Sequence, residues 1–339
     1  MSLIAPAFTT LNPHYMMPEA ILPISQASGA FDLLPTGEPL VRLGEGDLAV
    51  YMRRLDVRTK VAGGQAAYNS LPSADVVVGM ISTASYLLRA QAIYDHHESA
   101  AAGRNGFSLT EAYRLANHQG FAQFMRLGLI YGFNPANGEG IINANGATAL
   151  NLPADSFGNT TVTTYDNGQM AFLFAQWILA IKTRTNQLGI GRKFTILGPQ
   201  RTLGVFEYNV VQLTSYQRPG GGTSSTAGIA KSILMDNGDE LIWAYDDTLI
   251  GKGAGGTDAV IIAMPEIERP KGSAINTNKF AELAPGQDAM MLQLCDMVSP
   301  REITVPLALG AVSTLFELRT TSGWGFRPEA ITVVSMPYP

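Results

Sequence analysis

The segment that most constrains this chain opens at Ser108-Leu-Thr-Glu111. There the serine hydroxyl can take the Glu111 N–H while the glutamate reaches back, a capping box. Leu109, Ala112, Leu115, Ala116, Phe124 and Leu127 follow at helical spacing and predict one long amphipathic helix to about Leu129. Directly behind it comes GFNPANGEGIINANG, residues 132–146. Its centre, GEGIIN (138–143), is one residue short of a GxGxxG fingerprint, with Asn143 in place of the third glycine. A dinucleotide loop follows a strand and opens a helix; this one follows a helix, which is the wrong context for a phosphate cradle. The expected role of Gly138 and Gly140 is therefore backbone freedom at a joint.

Composition narrows the class. The 339 residues can build two compact units or one elaborated domain. Only 15% are charged while 46% are hydrophobic, against about a quarter charged in an ordinary soluble domain. Such a deficit predicts surfaces covered by copies of the same chain. A net charge of −5 without basic runs counts against a sequence-reading nucleic-acid binder. No stretch reaches the ~20 apolar residues of a membrane span, and MSLIAPAFTTLNPHYMMPEA at the start has no signal-peptide pattern. Cys295 is alone, which excludes an internal disulfide framework and fits a reducing cytosol. Without a secretory signal, the sequon Asn159-Thr160-Thr161 is expected to be idle.

Along the chain, residues 1–45 read as an arm. Pro13, Pro18, Pro23, Pro35 and Pro39 recur too often for a helix, and the expectation is that neighbouring copies order it. Residues 46–98 read as long β-ribbons, LAVYMRRLDVRTKV and VVVGMISTASYLLRAQAIYDHHE, joined by AGGQAAYNSLPSAD. Arg53, Arg54, Arg58 and Lys60 make the first ribbon basic. Such a ribbon could touch DNA, but pairing with carboxylates of an adjacent subunit is the favoured reading. A second helix is predicted over about 167–187 from Met170, Leu173, Phe174, Trp177, Ile178 and Ile181, capped by Asp166 and ended by Gly189. KFTILGP (193–199) reads as a strand, followed by a short helix opened by Pro199, and RPGGGTSST (218–226) as a flexible loop. MDNGDELIWAYDD, AVIIAMPEI and the alternating stretch 303–336 read as further strands, with turns at Gly310 and Gly323. The class is α+β, without internal repeats.

No motif supports catalysis. Asp95-His96-His97-Glu98 is rich in ligand atoms, but neighbours on a strand point to opposite faces, so His96 and His97 are not expected to share a metal. His14 and His118 have no carboxylate at metal-site spacing. Gly189-Ile-Gly191 and Gly251-Lys-Gly-Ala-Gly-Gly256 do not match a P-loop, since Thr257 is followed by Asp258 and Lys252 precedes further glycines. Cys295 lies in the apolar run MMLQLCDMV and reads as a buried thiol. The expectation is no enzyme, with no catalytic, cofactor-binding or metal residues. The rival class is a nucleotide-dependent enzyme using GEGIIN or GKGAGG.

The order of elements resembles the major capsid protein of tailed bacteriophages, the Hong Kong 97-type fold shared with encapsulins. In that family a loop of the general form G-x-x-G-[IL]-[IV]-N follows the long spine helix, and Gly138, Gly140, Ile141, Ile142 and Asn143 fill that place. RTTSGWGFRPEAITVV, with Arg327-Pro328-Glu329-Ala330, is similar to the family's closing strands, and YDHHESAAAGRNGFSLTEAYRLA to its run into the spine helix. The resemblance implies an N-terminal arm (1–45), an extended β-loop or E-loop (46–98), a P-domain spine helix and turn (99–150), an A domain (151–300) and closing P-domain strands (301–339). It implies self-assembly through hexamers and pentamers into an icosahedral head enclosing double-stranded DNA, which the shell contacts non-specifically. It also implies a portal, a decoration protein in some members, assembly in the host bacterial cytoplasm and residence in the virion. Many members carry a scaffolding segment of about a hundred residues ahead of the arm; with no room for one here, scaffolding is expected from a separate protein. The lysine–asparagine cross-link of some members has no recognisable residues here. An encapsulin-type nanocompartment is the alternative within the fold.

Overall fold

The computed structural model describes residues 28–35, 37–59, 74–104, 106, 108–185, 191–212, 223–266, 296–298, 300–307, 310–325 and 327–339. Among these, the core is a mixed five-stranded sheet. Its strands are β4 (Thr148–Asn151), β5 (Lys193–Gly198), β8 (Glu240–Tyr245), β9 (Asp258–Ala263) and β13 (Ile331–Met336), in the order β4-β13-β9-β5-β8. All six residues of β9 and all six of β13 are buried, as central strands covered on both faces must be. Alternation divides them between two layers. Val260, Ile262 and Val334 face one cluster, which contains helix α3 (Asn167–Arg184), α4 (Gln200–Tyr208) and α5 (Thr226–Met235). Ala259, Ile261 and Val333 face the other, which contains the long helix α2 (Leu109–Tyr131). Each large aliphatic side chain so buried contributes about 1.5–3 kcal/mol.

The second helix forms as its pattern requires. Asp166 accepts the Gln169 N–H at 2.8 Å, and Met170, Phe174, Trp177, Ile178 and Ile181 are buried along one face. Residues 186–190, with the expected stop at Gly189, lie outside the described residues. In α2 the Ser108 hydroxyl accepts the Glu111 N–H at 3.4 Å, whereas the Glu111 carboxylate turns to Arg114 at 2.6 Å, so only half of the capping box is made. The face of α2 also differs from expectation. Phe121, Met125, Gly128, Leu129 and Ile130 are buried, while Ala112, Leu115, Ala116, Phe124 and Leu127 remain exposed. The helix thus carries a second apolar face, which the other described residues leave uncovered.

A second sheet holds the ribbons. Strands β2 (Ala49–Thr59) and β3 (Ala74–Asp95) pair antiparallel from Ala49↔Ala84 to Thr59↔Ala74. From Ser85 onward β3 pairs instead with β12 (Ala311–Thr321), which carries β11 (Arg301–Pro306) and β10 (Asp296–Met297) on its other side. Strand β1 (Leu40–Val41) runs parallel to β10. The closing stretch is therefore shared: β11 and β12 belong to this sheet, and β13 to the five-stranded one.

Three further expectations change. Residues 28–43 do not wait for a neighbour. Ala30, Leu33 and Leu34 are buried in the cluster under α2, Gly29 N–H donates to the Tyr245 carbonyl at 3.0 Å, and Ser28 Oγ donates to Asp246 at 2.6 Å. These few apolar residues are enough to dock the segment on its own body. Residues 1–27 lie outside the described residues. The strand expected to run through Glu98 stops at Asp95, and His96–Arg104 form helix α1. Finally, the end of RPGGGTSST is regular. Thr223–Ser225 form β7, paired with β6 (Val210–Gln212), and Ser225 caps α5 by accepting the Gly228 N–H at 3.1 Å.

Candidate assembly surfaces and the joint at the helix end

GEGIIN closes α2 onto both sheets. Gly138 and Gly140 have φ of 75° and 87°. At Gly140 ψ is 143°, a combination that side-chain-bearing residues rarely enter, and a Cβ there would run into the Tyr131–Gly132 peptide. The N–H groups of Gly138 and Gly140 donate to Pro135 O at 3.0 Å and Gly323 O at 2.7 Å, while Gly323 N–H returns to Gly128 O at 3.0 Å. Asn143 Nδ2 donates to the Tyr131 carbonyl at 2.8 Å. The anion held in this loop is the chain's own. Glu139, 4% exposed, accepts from Tyr86 Oη at 3.0 Å and from the Asn134 N–H at 3.0 Å. A buried carboxylate at that point would repel a phosphate. Burial first, and then the bond to Glu139, push the Tyr86 hydroxyl up to about 12. Tyr86 sits on β3, so the joint binds helix end, closing segment and ribbon base together.

The outer ribbon is different. From Ala74 to Ala84, β3 is paired only with β2 among the described residues. Eleven residue pairs at about 3.4 Å each extend roughly 35 Å. Val77, Val78 and Met80 are 50%, 62% and 69% exposed, and Tyr51 on β2 is 68% exposed. Adjacent residues of a strand point to opposite faces and paired residues share one, so Val78, Met80 and Tyr51 make one open apolar face, while Val77 lies on the other with Asp75 and Gly79. A two-stranded ribbon is marginal alone, and exposed apolar surface of this kind marks a contact. Arg53, Arg54 and Arg58 lie on β2 opposite Met80, Gly79 and Asp75; their side chains and Lys60 lie outside the described residues.

The remaining candidates fall into structural places. In GKGAGG the Gly251 N–H donates to Asp258 Oδ1 at 3.0 Å, Gly253 N–H to Thr257 O at 2.6 Å, and Ala254 N–H to Ser335 Oγ at 2.9 Å. Those N–H groups close a turn into β9. Burial raises the Asp258 carboxyl, but bonds from Arg201, Thr202 and Gly251 outweigh it and hold the carboxyl below the usual range. Lys252 lies over the Tyr131 ring, 5.7 Å from its centre. The Gly191 backbone lies close against Gly238. Asn159 Nδ2 donates to Asp155 at 3.0 Å, so the sequon amide has a partner inside the chain. A groove of about 510 Å³ at the start of α3 is lined by Tyr165, Asp166, Gln169 and Phe172 among others. Its polar groups are engaged locally, Asp166 in the cap and Gln169 with Ser156. Cys295 and His14 lie outside the described residues. Among the described residues no helix is long and apolar enough to cross a membrane.

His96 and His97 depart from the expected geometry. Because α1 starts at His96, their rings lie 3.9 Å apart rather than on opposite faces, and Asp95 Oδ1 is 2.7 Å from His96 Nδ1. The sequence reading also passed over the apolar groups around the α-helical layer. Phe157, Phe172, Leu179, Tyr208 and Met235 are all exposed. Leu179 could have been flagged, since Phe172 and Leu179 lie seven residues apart on α3, away from its buried face.

A long helix beneath one face of a mixed sheet, helices on the other face, and a β-ribbon running outward define the class: the Hong Kong 97-type fold of tailed-phage capsids. The chain is similar across nearly its whole length to solved structures that include capsids. The capsid of Myoviridae phage XM1 matches at TM-score 0.66 and 10% identity, over 95% of this chain and 96% of that one. Microbacterium phage Oxtober96 matches at 0.59 and 11%, over 97% of each. The capsid of the native GTA particle matches at 0.58 and 13%, over 99% of each. No family model and no curated protein matches the sequence.

Proposed function

We propose that this chain is a major capsid protein, a structural subunit without catalytic activity that assembles into the icosahedral head shell of a tailed double-stranded DNA bacteriophage. The observation that carries the reading is the outer ribbon, with an open apolar face of Tyr51, Val78 and Met80 and, among the described residues, no strand paired beyond its two. Together with the exposed face of α2, it is surface that a second copy can bury. Symmetric repetition of such contacts closes a shell, and the low charge density lets large areas meet without desolvating ions.

Finer features belong to the same proposal. Copies assemble through hexamers and pentamers; residues 1–27 act as an arm on neighbours; Arg53, Arg54 and Arg58 pair with carboxylates of an adjacent copy. A separate scaffolding protein and a portal take part, assembly occurs in the host cytoplasm, and the mature protein resides in the virion. The net charge of −5 suits a wall that DNA contacts without adhering. Electron microscopy of the purified chain tests the reading. Uniform closed shells are expected, and DNA inside them when they come from an infected cell. Shells filled with a cargo protein would make the chain an encapsulin-type container. A dispersed monomer binding NAD or ATP at GEGIIN, with binding lost in Gly140→Ala, would replace the reading by the enzyme.

A further inference from the structure

We infer that Asp95, His96 and His97 form a binding site for one divalent transition-metal ion of the zinc, cobalt and nickel class. The three residues lie where β3 ends and α1 begins, and one ligand atom from each comes within 4.8 Å of the others. Metal–ligand distances of about 2.0–2.2 Å place the ligands of a tetrahedral ion roughly 3.3–3.5 Å apart. Side-chain rotation would close the ligand atoms from within 4.8 Å to that spacing.

The frame that carries the ligands is fixed. Asp95 pairs with Ala311 of β12, and its carboxylate accepts the His96 backbone N–H at 2.6 Å. Gly310, in the turn entering β12, lies against His96; a Cβ there would stand 2.8 Å from Nδ1, so the glycine leaves the imidazole its place. Both histidines are exposed, which lets an ion enter from solvent and leaves a coordination position for water. Two imidazole nitrogens and one carboxylate oxygen select zinc-class ions over magnesium or calcium, which prefer all-oxygen shells. A bound ion would tie the inner end of the ribbon strand to the helix before α2. The site does not depend on the capsid reading.

Titration of the purified full-length chain with Co²⁺, followed by its visible d–d absorption, tests the site. One ion per chain is expected, and Zn²⁺ should displace it. His96→Ala and His97→Ala should each weaken binding by more than about tenfold, whereas His118→Ala, on the exposed side of α2, should leave it unchanged. Melting curves in a chelator establish that each variant is folded. Should either alanine variant melt early, Asp95→Asn, which keeps the side-chain shape, should show the same loss. Wild-type protein without saturable Co²⁺ binding, or binding that survives both His97→Ala and Asp95→Asn, overturns the inference.

Discussion

Strand β9 reads DAVIIA, and the outer part of β3 opens ADVVVGM. By composition the two are nearly interchangeable, yet β9 is buried at every position while Val77, Val78 and Met80 stand in solvent. The difference lies in what surrounds them. β9 has β13 and β5 as sheet neighbours and a helical layer on each face. Among the described residues the outer ribbon has one partner strand and no layer. Apolar side chains on a strand that the described residues leave open are surface that a second copy can cover. The same contrast runs along α2, whose Phe121–Met125–Leu129 face packs on the core while Leu115, Phe124 and Leu127 do not.

Substitutions can break this comparison, and the largest effect is expected in the core. Phe174 is fully buried and meets Trp177, Phe206 and Trp243 edge-on at 5.3–5.6 Å. Phe174→Ala should cost about 3–5 kcal/mol in urea unfolding of the subunit. At the joint, Gly140→Ala should cost on the order of 1 kcal/mol or more, from a φ of 87° that alanine resists. Nucleotide affinity should not enter.

Tyr86 sharpens the account of the joint through pH. Its folded value of about 12 lies above the ordinary tyrosine value of 10.0, so the neutral hydroxyl is favoured in the folded state. That stability is fully present below pH 10, and is lost as pH rises through 12. Tyr86→Phe should remove this alkaline component of the melting curve and leave the acid side unchanged.

The smallest effect on folding is expected at the ribbon and the arm. Val78→Asp, and deletion of residues 1–27, should each shift subunit stability by no more than about 0.5 kcal/mol. Both should nevertheless impair assembly. If Val78→Asp unfolds the subunit as Phe174→Ala does, the ribbon is core and the comparison fails.

Legibility in the sequence followed the same division. Helix α3 could be read because its cap and its stripe are both local. The existence of α2 was legible for the same reason, but not its buried face: the helix has apolar residues on two sides, and only the sheet beneath it selects between them. GEGIIN could be recognised as a joint from its place after a helix. Its central contact could not, because Tyr86 lies 53 residues from Glu139. Helix α5 was hidden by the glycines before Ser225, although Ala227, Ala230 and Leu234 have helical spacing. Residues 30–34 were obscured by the prolines around them. The histidine pair was misplaced because a strand extended by a few residues reverses which faces its side chains occupy.

Sedimentation velocity of wild type beside Val78→Asp and Met80→Asp tests the central claim most directly, that copies of this chain cover the ribbon. The account predicts rapidly sedimenting closed shells for the wild type. Both variants should sediment as slow subunits or small oligomers, with melting unchanged at the level of the subunit. Wild-type protein that remains monomeric under assembly conditions, or ribbon variants that form shells of normal size and yield, would contradict it.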